Sequence, residues 1–324
     1  MIHPTSLTRR NFLAATTAAA LAVSAPRAFA ADFPNSHIHK AIIVGKLNEA
    51  ELTHLKEAGF EGVETTHICP DTEAAAGAEL IKSIGMRVHS VLRGWAQFAS
   101  EDPAKVEESL EVTRKAIRAA HAYGADTTLL VPSISPKCPM PQPWEYDIDF
   151  DEKTGHVSRV AKGADNDKYA EYIAFQNRAT DMSRIAVEKL LPLAEELKIV
   201  IGLENVWNNL WVVPPLYRNF VASFNSPWAK AYFDIGNVVK YSPPETWIKE
   251  LDRLLVKLHV KDYRLVPPEN HSGGFVHPRD GSINWPAVRK ALDDAHYDGW
   301  ATIEDGGLPF KEFNKRFDLI IDGK

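Results

Sequence analysis

Between Gly202 and Asp305, four short apolar runs each end in a residue able to ligate a metal ion. They are Glu204 in IVIGLENVWN, Asp234 in KAYFDIGN, His259 in LLVKLHVKDY and Glu304 in GWATIED. Three carboxylates and an imidazole brought to one point repel one another unless a divalent cation sits between them. Hard oxygen donors with one imidazole suit Mn²⁺, the first expectation, and also Mg²⁺ or Co²⁺, and they tolerate Zn²⁺. A metal that chelates a carbonyl and the neighbouring hydroxyl of a sugar acidifies the C–H between them. Glu204 and Glu304, reaching that carbon from opposite faces, form a base and acid pair. Return of the proton to the same carbon inverts it, and return to the next carbon moves the carbonyl.

Convergence requires that all four runs be strands of one sheet with the same direction. The sequence alternates apolar segments with longer amphipathic ones. Strands are expected at Ala41–Val44, Gly62–Thr66, Arg87–Leu92, Thr127–Val131, Val200–Glu204, Ala231–Asp234, Val256–Val260 and Trp300–Glu304. Helices are expected at Asn48–Ala58, Thr72–Ile84, Pro103–Tyr123, Lys168–Leu197, Pro215–Phe224, Pro244–Leu251, Pro286–His296 and Phe310–Ile321. Strict alternation implies parallel strands, and eight units in a chain of this size imply a single (β/α)8 barrel, a TIM barrel, over residues 31–324. No Gly-x-Gly-x-x-Gly or Walker loop is present. Chemistry in such barrels sits at the carboxyl ends of the strands. The two longest connections on that face, Pro132–Asn166 and Lys261–Trp285, read as non-periodic loops that cover a substrate.

The substrate-binding candidates are Glu64, His89, Trp207, Asn237, Lys261, His277 and Arg279. Glu64 ends the second strand and either binds a substrate hydroxyl or anchors a loop. His89, within RVHSVL, either touches the substrate or is hydrogen-bonded inside the barrel. Asp262 follows Lys261 and either orients an imidazole or pairs with that lysine. Asn205, Trp207, Asn208 and Trp211 offer the amides and aromatic faces that a sugar ring uses, and loop packing would use the same residues. His277 and Arg279 lie on the long seventh connection. His37-Ile38-His39 has the spacing of an amidohydrolase metal motif, but it precedes the first strand and reads as a surface segment at the amino end.

The first thirty residues are an address, not fold. Ser6-Leu7-Thr8-Arg9-Arg10-Asn11-Phe12-Leu13, the weakly apolar Ala14–Val23 and the small-residue site Ala28-Phe29-Ala30 form a twin-arginine export signal. The apolar run is about half of what a membrane span needs, so cleavage after Ala30 and release to a periplasm or beyond are expected, with no stable membrane anchor. The signal holds three arginines and no acid. Its loss takes Lys plus Arg from 37 to 34 against 43 acids, and the net charge from −6 to −9. Such a chain suits neither nucleic acid nor anionic lipid. Two cysteines, Cys69 and Cys138, make no disulfide framework; they either pair in an oxidising compartment or stay free. A homo-oligomer is compatible with the composition.

With these residues placed, the chain resembles the sugar phosphate isomerase/epimerase family of xylose isomerase-like TIM barrels. The matching stretches are AGFEGVE (Ala58–Glu64), GMRVHSV (Gly85–Val91), GLENVWN, FDIGN, LHVKD, DGSINWPAVRKAL (Asp280–Leu292) and YDGWATIED (Tyr297–Asp305). The resemblance implies that Glu204, Asp234, His259 and Glu304 are the metal ligands, and that Glu204 and Glu304 are also the catalytic pair of its ketose 3-epimerase branch. Two positions depart from the pattern. Asn237 stands where those epimerases have a histidine, and Arg279-Asp280-Gly281 stands where Gly-Glu-Gly is frequent. The expected activity is a metal-dependent isomerase or epimerase on an unphosphorylated keto-sugar. The alternative is a lyase or hydrolase on 3-keto-glycosides, or a related dehydratase, built on the same metal site.

Overall fold

The apolar runs expected as strands are buried on both faces, as parallel strands covered by helices must be. A computed structural model describes residues 37–163, 165–266 and 272–324 of the chain; the expected export signal lies outside them. The elements run β1 (Ile38–Val44), α1 (Glu49–Ala58), β2 (Gly62–Thr65), α2 (Asp71–Ser83), β3 (Arg87–Trp95), α3 (Pro103–Ala122) and β4 (Thr127–Val131). After β5 (Tyr146–Phe150) and β6 (Val157–Ala161) come α4 (Ala170–Leu197), β7 (Val200–Glu204), α5 (Pro214–Ala222), β8 (Ala229–Asp234) and α6 (Pro244–Leu251). The chain ends with β9 (Leu255–Val260), β10 (Asp262–Val266), β11 (Ser272–Val276), α7 (Trp285–Asp294), β12 (Gly299–Ile303) and α8 (Phe310–Ile321).

Eight strands close a parallel barrel in the order β1-β12-β9-β8-β7-β4-β3-β2, with the helices between them, which is the expected single (β/α)8 fold. Helix ends follow local chemistry. Asn48 caps α1 by accepting from the Glu51 amide, and Gly59 ends it at φ 104°, a left-handed conformation that glycine adopts without steric cost. Asp102 caps α3, which opens on Pro103. Large rings on the inner helix faces, among them Phe220, Trp247, Phe313 and Phe317, are almost wholly buried, each contributing about 2 kcal/mol of apolar transfer. Among the described residues no helix is long and apolar enough to cross a membrane.

Both long connections depart from expectation: each folds into a two-stranded antiparallel sheet, β5 with β6 and β10 with β11. The first follows the alternation Tyr146-Asp-Ile-Asp-Phe150 and a turn in which Asp151 accepts from Lys153 N, Thr154 N and Thr154 Oγ1. In the second, only Lys261 separates the end of β9 from the start of β10, so strand seven of the barrel runs almost directly into the hairpin. Cys69 and Cys138 are both free; the Cys69 thiol lies 3.2 Å from the Tyr123 hydroxyl.

β1 begins at Ile38, three residues earlier than expected, because Ile38 pairs with Gly299 of β12. His37 is exposed as a surface segment would be, but His39 is not. It is buried at the amino end of the barrel with Nδ1 2.6 Å from Glu61 Oε2, and it stacks on Trp300 at 4.8 Å. Burial alone would raise the Glu61 carboxyl, but the His39 bond, the Lys40 amide and the two nearby imidazoles outweigh it and bring Glu61 down to about 2. A carboxyl lowered on folding stabilises above its unfolded value of 4.5, and that contribution disappears as pH falls towards 2. Glu61→Gln is therefore expected to unfold at a lower temperature than wild type at pH 7, with the gap narrowing steadily below about pH 4.5 in thermal melts.

Candidate active site

Side chains at alternate positions of a barrel strand share its inner face. On β12 and just beyond, Trp300, Thr302 and Glu304 rise in three steps, and on β9 Lys257, His259 and Lys261 do the same. Register then places Asp234 beside His259, and His259 beside Thr302. Gly202 leaves room for the Tyr232 ring, since a Cβ there would lie 2.9 Å from Tyr232 Cδ2. That ring in turn meets His259 edge-on at 4.7 Å.

The four expected ligands come together at the carboxyl ends of β7, β8, β9 and β12, with one donor atom from each within 4.8 Å of the others. His259 Nδ1 is their meeting point: 3.0 Å from Glu204 Oε1, 3.1 Å from Glu304 Oε2 and 3.9 Å from Asp234 Oδ2. Asp234 and His259 are fully buried and Glu204 nearly so, whereas a third of the Glu304 side chain is open. Lys261 Nζ lies 2.8 Å from Glu304 Oε2 and 3.0 Å from Asp234 Oδ2. The His259 ring bonds on its other side to Glu64, at 2.6 Å.

Four carboxylates thus face two cationic side chains in a site largely closed to water. Burial pushes Asp234 up to about 8, with Glu304 and Glu204 adding to the rise and Lys261 opposing it. Burial likewise raises Glu204. Glu304 goes the other way: burial would raise it, but His259 and Lys261 beside it hold it below the usual carboxylate range. Burial disfavours charge on His259, yet Glu64, Glu304 and Glu204 keep its imidazolium well above its ordinary value. Asp234 Oδ2 is buried and, despite the nearby ammonium, makes no directed hydrogen bond. An orphaned buried oxygen, an excess of negative charge and three hard donors with one imidazole fit a divalent cation.

A cavity of about 550 Å³ opens over this cluster, lined by Lys261, Glu304, Arg264, Phe275, His277 and Asp305 among others. Its volume is in the range of small-molecule sites. Of the expected substrate residues, Lys261 and His277 line it, and His277 is held by Asp305 at 2.7 Å. Arg279 does not: at φ 74° the chain turns it outward, its side chain is exposed, and its Nε donates to the Lys324 carbonyl. Trp207 stands behind the wall, its ring 4.5 Å from Phe275 and its Nε1 donating to the Asn237 carbonyl. Asn237 is buried and ties β7 to β8 by donating from Nδ2 to the Asn205 carbonyl. Asn205 holds the Asp234 backbone by a pair of hydrogen bonds, Oδ1 accepting from Asp234 N at 2.8 Å and Nδ2 donating to Asp234 O at 2.9 Å.

His89 lies one step below the cluster. It stacks flat on Trp300 at 4.7 Å, and its Nε2 is 2.9 Å from Thr302 Oγ1. Burial, then the charges of Lys257 and Arg87, keep it neutral. Glu64 is also sealed from the cavity. Asp262 takes neither role open to it, because its carboxylate is spent on the hairpin. Oδ1 accepts from Tyr263 N and Oδ2 from Arg279 N and Trp285 Nε1. Gly281 is required beside it, since a Cβ there would collide with the Asp262 carboxylate. Phe275 and Asp305 were not singled out from sequence. The Gly273-Gly274-Phe275-Val276 run after a polar stretch was the available signal for Phe275.

Fold and site together define a (β/α)8 protein with a carboxylate–histidine centre at the carboxyl ends of its last four barrel strands. More narrowly, the chain belongs to the xylose isomerase-like TIM barrel family, whose profile matches residues 52–312. No curated protein matches the sequence. Among solved structures, it is similar to an L-ribulose 3-epimerase, with 14% identity over 88% of this chain and 95% of that one and a TM-score of 0.65. It is similar also to a 3-keto-D-glucoside 4-epimerase from E. coli, with 12% identity, 88% and 99% coverage and a TM-score of 0.62. A mannonate dehydratase from Streptococcus suis gives 13% identity, 88% and 94% coverage and a TM-score of 0.62. At these identities the likeness is one of fold.

Proposed function

We propose that this protein is a divalent-metal-dependent isomerase or epimerase of an unphosphorylated keto-sugar. The observation that carries the reading is the meeting of Glu204 and Glu304 at His259 Nδ1 on the floor of an open cavity. Glu204, Asp234, His259 and Glu304 would hold the ion, with Mn²⁺ the first expectation. When bound, it supplies Lewis-acid stabilisation of the charge that develops on the substrate oxygens. The chain's own groups do the rest. Glu304, open to the cavity, takes a proton from the carbon beside the carbonyl. Glu204, enclosed and raised by burial, delivers one from the other side. Lys261 donates to a substrate oxygen, and Phe275 offers its exposed face to the sugar ring. The cavity lining sets Lys261 and Arg264 against Glu304, Asp280 and Asp305, so it holds no excess of positive charge for a phosphate, which favours an uncharged sugar.

The test is solvent exchange. Keto-sugars incubated in D₂O with metal-loaded protein should gain deuterium at one carbon, and chelation should abolish the gain. Full exchange by metal-free protein would end the reading. Elimination from a 3-keto-glycoside, or dehydration, is the second reading. It is favoured by Lys261 Nζ lying 2.8 Å from Glu304, an acid next to the base that could protonate a leaving group. Release of an aglycone separates it from the first. His277→Ala is expected to raise KM roughly tenfold by removing one substrate hydrogen bond, whereas Arg279→Ala leaves steady-state kinetics unchanged. Export completes the proposal: the mature protein should begin at Ala31 by N-terminal sequencing, and replacing Arg9 and Arg10 with lysine should leave it in the cytoplasm.

A further inference from the structure

Glu64 lies on β2, three strands round the barrel from β9, and its carboxylate has no exposure. Oε2 lies 2.6 Å from His259 Nε2, while Oε1 accepts a 2.7 Å hydrogen bond from Ser90 Oγ. Both oxygens are therefore committed, and neither reaches the cavity. The other ring nitrogen of His259, Nδ1, is the one that faces Glu204, Glu304 and Asp234. A neutral imidazole carries a single proton, and the nitrogen that holds it cannot bind a cation. When His259 is neutral, as metal ligation requires, a buried carboxylate against Nε2 keeps the remaining proton there and leaves the Nδ1 lone pair directed at the three acids. The edge-on Tyr232 ring limits rotation of the imidazole.

We propose that Glu64 is a positioning residue for the metal centre, fixing the tautomer and orientation of His259 and strengthening its Nδ1 as a donor. The inference rests on the metal-site reading above. An anionic partner behind a ligating histidine raises the basicity of the ligand, and its loss typically costs about 10- to 100-fold in metal affinity. Glu64→Gln preserves shape and the hydrogen-bond acceptor while removing the charge. Ser90→Ala removes only the bond that anchors Glu64.

The experiment measures Mn²⁺ dissociation constants by chelator competition for wild type, Glu64→Gln, Ser90→Ala and Asp234→Asn, alongside melts of the metal-free proteins. Expected is a loss of about 10- to 100-fold for Glu64→Gln and a smaller loss for Ser90→Ala, in each case beyond any fall in metal-free melting temperature that follows from losing the buried contact with His259. A purely structural Glu64 would lower the melting temperature and spare the affinity. Wild-type affinity in Glu64→Gln, with affinity lost in Asp234→Asn, overturns the positioning role alone. Unchanged affinity in Asp234→Asn as well overturns the metal site itself. Should Glu64→Gln fail to fold, Ser90→Ala decides: weakened binding by folded protein supports the role, and unweakened binding overturns it.

Discussion

Replacing Glu304 with glutamine is expected to lower kcat on the order of 10³-fold, as loss of a positioned base or acid does, and to abolish deuterium exchange into substrate. Glu304 is the only one of the four candidate ligands with a third of its side chain open to the cavity, and the charges of His259 and Lys261 keep it ionised. Exposure puts its oxygens within reach of substrate and ionisation leaves them free to accept a proton, while the same two charges weaken it as a base. Glutamine retains an oxygen that can touch a cation but cannot take a proton. Metal content measured beside exchange rate therefore separates the two roles. If the variant binds metal normally and still exchanges at the wild-type rate, Glu304 is not the base. Glu204→Gln should block return of the proton instead, so washout of label from one face would outlast net turnover.

Asp234→Asn is expected to stabilise the metal-free protein while removing most of its stabilisation by metal. Asp234 is fully buried, among like charges, and pushed up to about 8. A carboxyl raised on folding costs nothing below its unfolded value of 3.8, and the cost grows as pH rises towards the folded value. Metal-free wild type should thus lose stability between about pH 4 and pH 8, a slope that Asp234→Asn lacks. At pH 7 and without metal the variant should melt higher. Metal present at a hundred times its dissociation constant stabilises wild type by about 2.7 kcal/mol, and in the variant this shift should nearly vanish. A variant that melts lower without metal and retains its shift with Mn²⁺ would contradict this account of the cluster. Such opposition between stability and site chemistry is common where like charges are assembled for function.

The candidate ligand cluster was legible because each of its members ends an apolar run, and in a parallel barrel the strand ends must share a face. Roles that depend on partners across the barrel were not legible. Glu64 and His259 are 195 positions apart, and nothing near Glu64 indicates which ring it backs. Arg279 was misplaced because its direction depends on a positive φ, which sequence does not reveal for an arginine. Asp262 takes neither expected role because its neighbour Lys261 turns to other acids, while its own oxygens accept from the adjacent Tyr263 amide and, beyond the hairpin, from the Arg279 amide and the Trp285 indole. The hairpins themselves were hidden by polar residues on their exposed faces, although Tyr146-Asp-Ile-Asp-Phe150 alternates plainly.

Asp262 has a consequence for how such a barrel can be retuned. The hairpin that carries Phe275 and His277 is fastened at one buried carboxylate and one obligatory glycine, next to the strand that supplies His259 but apart from its ligand atoms. It is therefore a cassette. Redesigned together with its Asp–Gly clasp, it would change the cavity wall while the carboxylate–histidine cluster beneath stayed as it was.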